Sequence, residues 1–257
     1  MQDLKISLIQ TKLFWEQKAE NLSHIESHLN KVPNDTDLII LPEMFNTGFS
    51  MKPKELSETM NGETFKWLNI TASRKNAIVI GSLIIEEDKK YYNRLIAMMP
   101  DGKFEFYNKR HLFRLAGEDK IYTGGNEKKY IVVKGWHIDL FICYDLRFPV
   151  WIRSNIDTHC LLFIANWPEK RKDAWISLLK ARSIENQAYT IGVNRVGKDG
   201  NGFNHSGESS IYDPLGKCLE QRSDEECIIL HTLKKEHILK TRESFQFYKD
   251  ADNFKLL

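Results

Sequence analysis

The chain has 257 residues, 42% hydrophobic and 28% charged, an ordinary globular composition long enough for a sizeable core. Its 37 Lys and Arg against 35 Asp and Glu leave a net charge of +2, which argues against the basic footprint of a nucleic-acid binder. The start MQDLKISLIQT has no basic-then-apolar leader, no apolar run is long enough to span a bilayer, and the cysteines at 143, 160, 218 and 227 lack CxxC spacing, so a cytoplasmic protein with free thiols and no structural zinc is expected.

In chain order, "DLKISLIQ" (3–10) predicts a strand and "KAENLSHIESHLNKV" (18–32) an amphipathic helix, with Leu22, Ile25, Leu29 and Val32 three and four apart. "DLIILPE" (37–43) and "AIVIGSLIIEE" (77–87) are continuous apolar runs, as in strands buried on both faces, and "GETFKWLNITASRKN" (62–76) between them predicts a second helix. "YYNRLIAMMPDGKFEFYNK" (91–109) predicts a hairpin about Asp101–Gly102. "YIVVKGWHIDLFIC" (130–143) predicts two strands, "CLLFIAN" (160–166) one more, and "KDAWISLLKARSIENQAY" (172–189) a long helix; strands and turns finish the chain. Strand–helix alternation at both ends with hairpins between predicts an α/β layered domain with a mixed sheet. No linker, internal repeat or low-complexity segment divides it, so one domain over 1–257 is expected. No phosphate-cradling glycine loop is present.

Three polar residues stand where predicted strands end. Glu43 closes "DLIILPE"; a carboxylate there is either a structural ion-pair partner or a functional group with a raised pKa. Lys109 closes "GKFEFYNK", where a lone lysine usually reads as a surface charge. Cys143 closes "IDLFIC" and is followed at once by Tyr144, Asp145 and Arg147. It is either buried packing or a nucleophile at the border of core and solvent, beside the backbone N–H groups of a strand-to-helix turn. The other cysteines read as structural. Cysteine nucleophiles commonly pair with histidine, and the candidates are His111 and His137, neither with an acid in an obvious orienting position.

"LPEMF", "NKRHLF" and "CYDLRFP", in this order, resemble the three catalytic segments of the nitrilase superfamily of carbon–nitrogen hydrolases. "IANWP" (164–168), "KARSIENQAY" (180–189) and "HSGESSIYDPLGK" (205–217) extend the likeness, and "LPEMFNTGFSM" with the tail "FQFYKDADNF" (245–254) is similar to the bacterial omega-amidase branch. The resemblance implies a four-layer αββα sandwich with two mixed β-sheets, paired into homodimers. It implies Cys143 as nucleophile, Glu43 as general base and Lys109 as the cation near the reacting oxygen. Glu118, beside Asp119, is the candidate for a second glutamate that orients the lysine. No metal or organic cofactor is called for. The implied partners are a small-molecule amide and water, with no nucleic acid and no membrane.

The implied activity is an amidase acting on non-peptide linear amides, the terminal amides of small dicarboxylic monoamides such as 2-oxoglutaramate. N-carbamoyl-amino-acid or carbamoyl-polyamine hydrolysis and a catalytically silent scaffold are the alternatives. The Tyr144 backbone N–H is expected beside the oxyanion. Asp145 and Arg147 are expected as a capping carboxylate and an ion pair, or Arg147 as a clamp for a substrate carboxylate. Phe45 and Trp167 are candidates for pocket walls or for core.

Overall fold

The computed structural model describes residues 2–153, 157–252 and 254. Asn253 of the tail segment 245–254 and the ends of the expected 1–257 domain (Met1 and 255–257) lie outside these.

Thirteen strands among the described residues form two mixed sheets. The first contains β1 (Leu4–Gln10), β2 (Leu38–Ile40), β3 (Ile78–Glu87), β4 (Lys90–Met98) and β5 (Phe104–Asn108). The second contains β6 (Tyr130–Val133), β7 (Trp136–Ile142), β8 (Cys160–Ala165), β9 (Tyr189–Asn194), β10 (Val196–Lys198), β11 (Asn204–Tyr212) and β12 (Cys218–Ser223). The last strand, β13 (Cys227–Leu233), returns to the first sheet. The orders are β13-β1-β2-β3-β4-β5 and β10-β11-β9-β8-β7-β6, with β12 on β11. β1–β2–β3 and β7–β8–β9 run parallel and the other pairs antiparallel.

Alternation along the strands explains the layers. Ile6, Leu8, Leu38, Ile40, Ile80 and Leu95 join one core with Leu140, Ile142, Leu162 and Ile191 of the other sheet. Their neighbours Ile9, Ile39, Val79 and Ile96 join a second core under α1 (Lys18–Leu29) and the longer of the next two helices, α2 (Pro53–Leu56) and α3 (Glu63–Lys75). On the far side, α4 (Pro149–Ile152) and α5 (Lys172–Asn186) follow β7 and β8, and α6 (Lys235–Ser244) follows β13. α5 lies so close to the second sheet that a Cβ on Gly192 would sit 2.4 Å from Leu179. The result is the four-layer αββα arrangement expected.

Some boundaries differ from the sequence pattern. β2 ends at Ile40, so Glu43 stands in a loop three residues beyond the strand. α1 stops at Leu29, and α5 stops where Gln187 takes a left-handed φ of 44°. None of the helices among the described residues is long and apolar enough to cross a membrane.

Candidate active site

Glu43, Lys109 and Cys143 come from both sheets and line one cavity of about 220 Å³. Each follows a strand. After β2, Leu41 N–H donates to the Ile80 carbonyl at 2.7 Å and Met44 N–H to Ser82 Oγ at 2.8 Å, so β3 holds the loop that carries Glu43. After β5, Lys109 N–H donates to the Asn93 carbonyl on β4 at 3.0 Å.

After β7, Cys143 takes a left-handed φ of 45° and opens a 3-10 turn, Cys143–Arg147. A non-glycine residue in this region stores strain of about 1–3 kcal/mol and needs surroundings that enforce it. Asp145 supplies them. Its fully buried carboxylate accepts the Ile142 N–H (3.1 Å) and Tyr107 hydroxyl (2.8 Å) on one oxygen, and the His111 N–H (3.0 Å) and Nδ1 (2.8 Å) on the other. A carboxylate only accepts, so Nδ1 carries the proton.

Lys109 Nζ lies 2.8 Å from Glu43 Oε1 and 3.0 Å from Glu118 Oε1, with all three side chains essentially sealed from solvent. Asn93 Nδ2 also donates to Glu43 Oε1 (2.7 Å), and the Asn166 N–H to Oε2 (2.8 Å). Glu118 Oε2 accepts the Phe113 N–H. Phe49 backs the ammonium, its ring centre 4.9 Å from Nζ.

The electrostatics follow from burial. Burial alone would pull the Lys109 pKa down, but Glu118, Glu43 and the Cys143 sulfur outweigh it and hold it well above the ordinary lysine value. Glu118 is raised by burial, against the pull of Lys109 and with help from Glu43. The Cys143 thiol is pushed well up, first by burial and then by the Glu43 carboxylate, and Lys109 only partly opposes this. The resting sulfur is therefore a neutral thiol facing the Glu43 side chain, rather than a preformed thiolate.

The sequence-predicted residues fare differently. Glu43, Lys109, Cys143, Tyr144, Arg147 and Trp167 all line the cavity. Glu118 reaches Lys109 from behind, whereas Asp119 turns toward Arg114 at 3.7 Å. Phe45 is corrected: it is fully buried in the core under α3 and is not among the cavity-lining residues, because its ring fills the space left by the missing side chain of Gly81. Phe49, four residues on, takes the wall position. Arg147 makes no ion pair among the described residues; its guanidinium lies 5.0 Å over the Trp167 ring. The histidines do have orienting acids, Asp145 for His111 and Asp139 for His137 at 3.2 Å, but neither lines the cavity.

Sequence reasoning missed Asn93, Asn166, Phe113 and Arg171. Asn166 and Arg171 flank Trp167 in "ANWPEKR", so the strand-end rule that singled out Glu43 would have found Asn166 just past β8. Asn93 sits mid-strand in β4 and has no such signal. The cysteines at 143, 160, 218 and 227 are free. Among the described residues, His24, His28 and Glu226 bring ligand atoms within 4.8 Å of one another. They lie outside this cavity and are already joined, with Glu226 Oε1 accepting from Thr11 and the Lys12 N–H and facing His24 Nε2 at 2.7 Å.

A family model for carbon–nitrogen hydrolases matches residues 5–243. An omega-amidase, YafV of Yersinia enterocolitica, is 42% identical over 260 residues and covers all of both chains. A 2-oxoglutaramate amidase of Bacillus subtilis is 32% identical, over 95% of this chain and 96% of its own. The solved structure of XC1258 from Xanthomonas campestris, a CN-hydrolase superfamily protein with an arsenic adduct in its active site, superposes with a TM-score of 0.98 at 37% identity and full coverage of both chains. With buried Glu43 and Lys109 facing Cys143 across one cavity, and with a family model matching nearly its whole length, the chain belongs to the carbon–nitrogen hydrolase family.

Proposed function

We propose that the protein is an amidase that hydrolyses the terminal amide of small dicarboxylic monoamides, of the 2-oxoglutaramate type, through a thioester on Cys143. The observation that carries this reading is the cavity in which a neutral thiol faces Glu43 and a doubly paired Lys109. The cavity is below the roughly 300–1,000 Å³ range of drug-sized pockets, which suits a short acyl chain. The substrate class is supported by the omega-amidase and 2-oxoglutaramate amidase relatives.

The steps follow from the charges. Glu43 accepts the thiol proton as Sγ attacks the amide carbon, so the sulfur is never a free buried anion. The carbonyl oxygen becomes an oxyanion beside the Lys109 ammonium and the Tyr144 N–H, one of the first-turn amides that a helical turn leaves unpaired. Protonated Glu43 gives its proton to the departing nitrogen, and ammonia leaves as the C–N bond breaks. Water then gives a proton to Glu43 and attacks the thioester. The C–S bond breaks, the acid is released, and Glu43 returns the proton to the sulfur. Glu118 keeps Lys109 in place and protonated throughout. Arg147, half-buried over Trp167, faces the far end of the substrate as a carboxylate donor fork.

Ammonia release from 2-oxoglutaramate, glutamine, a carbamoyl-amino acid and a simple nitrile tests the reading. 2-Oxoglutaramate is expected to give the highest kcat/KM, and a higher value for the carbamoyl compound or nitrile refutes it. Cys143→Ala is expected to abolish turnover and the acyl adduct seen by mass spectrometry; unchanged turnover removes the nucleophile. The proposal includes a cytoplasmic homodimer, and a 30 kDa species in sedimentation would remove the dimer.

A further inference from the structure

Two guanidiniums reach the same cavity. Arg147 comes from the turn after Cys143, and Arg171 from the segment between β8 and α5. Arg171 is well anchored. Its N–H donates to the Pro168 carbonyl at 3.0 Å, its carbonyl accepts Trp167 Nε1 at 2.7 Å, and its guanidinium lies 5.0 Å over the Phe113 ring. Both arginines are half-buried, and neither has a carboxylate partner among the described residues.

The acids in the cavity wall are committed elsewhere. Glu43 is bound to Lys109, and so is Glu118 behind it. Asp199 accepts the backbone N–H groups of Asn201 and Phe203 at 2.9 and 2.8 Å. Burial lowers the Arg171 pKa and Arg147 lowers it further, while Cys143 and Tyr144 oppose this. The two cations therefore feel each other as well as the reacting centre. Among the described residues no carboxylate offsets this repulsion, and each guanidinium has an aromatic ring rather than an anion beside it.

One guanidinium satisfies a carboxylate in a bidentate way. A second, unpaired one beside it calls for a further acceptor next to that carboxylate, and it repels a cation there. We propose that Arg171 is a specificity-determining residue that completes, with Arg147, a paired-guanidinium subsite for the 2-oxo-carboxylate end of the substrate and rejects the same chain carrying a 2-ammonium group. This rests on the amidase reading and adds to it the choice between oxo acid and amino acid.

The test compares kcat/KM for 2-oxoglutaramate, glutamine and neutral pentanamide in the wild type, Arg171→Gln and Arg171→Lys. The ratio of 2-oxoglutaramate to pentanamide is expected to fall about tenfold to a hundredfold in Arg171→Gln, mainly through KM. Glutamine should gain relative to 2-oxoglutaramate, and Arg171→Lys should recover part of the ratio. Inhibition by 2-oxoglutarate should weaken in parallel, which reads the subsite without turnover. A ratio within twofold of wild type in Arg171→Gln, or an equal fall in kcat for all three amides, overturns the subsite alone. A wild type with no preference for 2-oxoglutaramate over pentanamide overturns the dicarboxylic-monoamide reading, and the subsite with it.

Discussion

Asp145→Asn is the most direct test of how the turn that carries Cys143 is held. Each carboxylate oxygen of Asp145 serves one backbone amide and one side chain: Ile142 N–H with the Tyr107 hydroxyl, and His111 N–H with His111 Nδ1. An asparagine turns one oxygen into an NH2 group. Whichever way it faces, one backbone N–H loses its acceptor. The imidazole adapts by changing tautomer and the hydroxyl by rotating, but the amide cannot. An orphaned buried donor costs about 1–3 kcal/mol, and the remaining bonds lose their charge assistance, roughly half their strength. The sum is a destabilisation of about 2–4 kcal/mol, measured by the shift in urea unfolding midpoint at constant slope. The same loss frees Cys143 from its left-handed conformation, so kcat on 2-oxoglutaramate should fall at least about tenfold, since small misplacements of reacting atoms cost about a hundredfold. A variant within about 1 kcal/mol of wild type with unchanged kcat refutes the idea that this carboxylate enforces the turn.

Gly81→Ala would place a Cβ 2.5 Å from the Phe45 ring and 3.2 Å from Leu41, both next to the Glu43 loop. It should cost about 1–3 kcal/mol in thermal or urea unfolding and lower kcat; a silent substitution would show the loop to be free to move. His205, nearly sealed in the cavity wall, has its pKa lowered by burial, then by Arg195, to about 4. The unfolded imidazole takes up a proton near pH 6.5 and the folded one does not, so stability is present above that value and lost as pH falls toward 4. The loss by pH 5 is about 2 kcal/mol, and His205→Gln should flatten that part of the stability profile.

Most of the layered fold was legible because the strands are buried on both faces. Runs such as "LII" in β2 and "CLLFIA" in β8 have no polar face to confuse the pattern. Helix ends were less legible. α1 continues in apolar pattern to Val32, but the chain turns at Asn30, since Val32 packs into the core as a loop residue. Glu43 and Cys143 were marked by polarity at the end of an apolar run, while Lys109 was indistinguishable from a surface charge without the family resemblance. Asn93 and Arg171 were invisible for different reasons. The first lies inside a strand, where only the fold shows that it faces Glu43. The second stands in a charged stretch, "EKRK", whose neighbours Lys170 and Lys172 do not line the cavity. Phe45 went wrong because a four-residue shift in a tight loop separates core from cavity wall.

The strand order has a consequence for how the protein comes into being. β13 lies on β1 along all seven residues, Leu4 to Leu233 through Gln10 to Cys227, so β1 waits for a partner made more than two hundred residues later. Glu43 and Lys109 leave the ribosome well before Cys143, and the first sheet stays open at that edge until residue 233 arrives. Catalytic power should therefore appear late in refolding, together with closure of the β1 edge rather than with collapse. Stopped-flow ammonia release run alongside tryptophan fluorescence would show whether the enzyme is silent until its final strand docks.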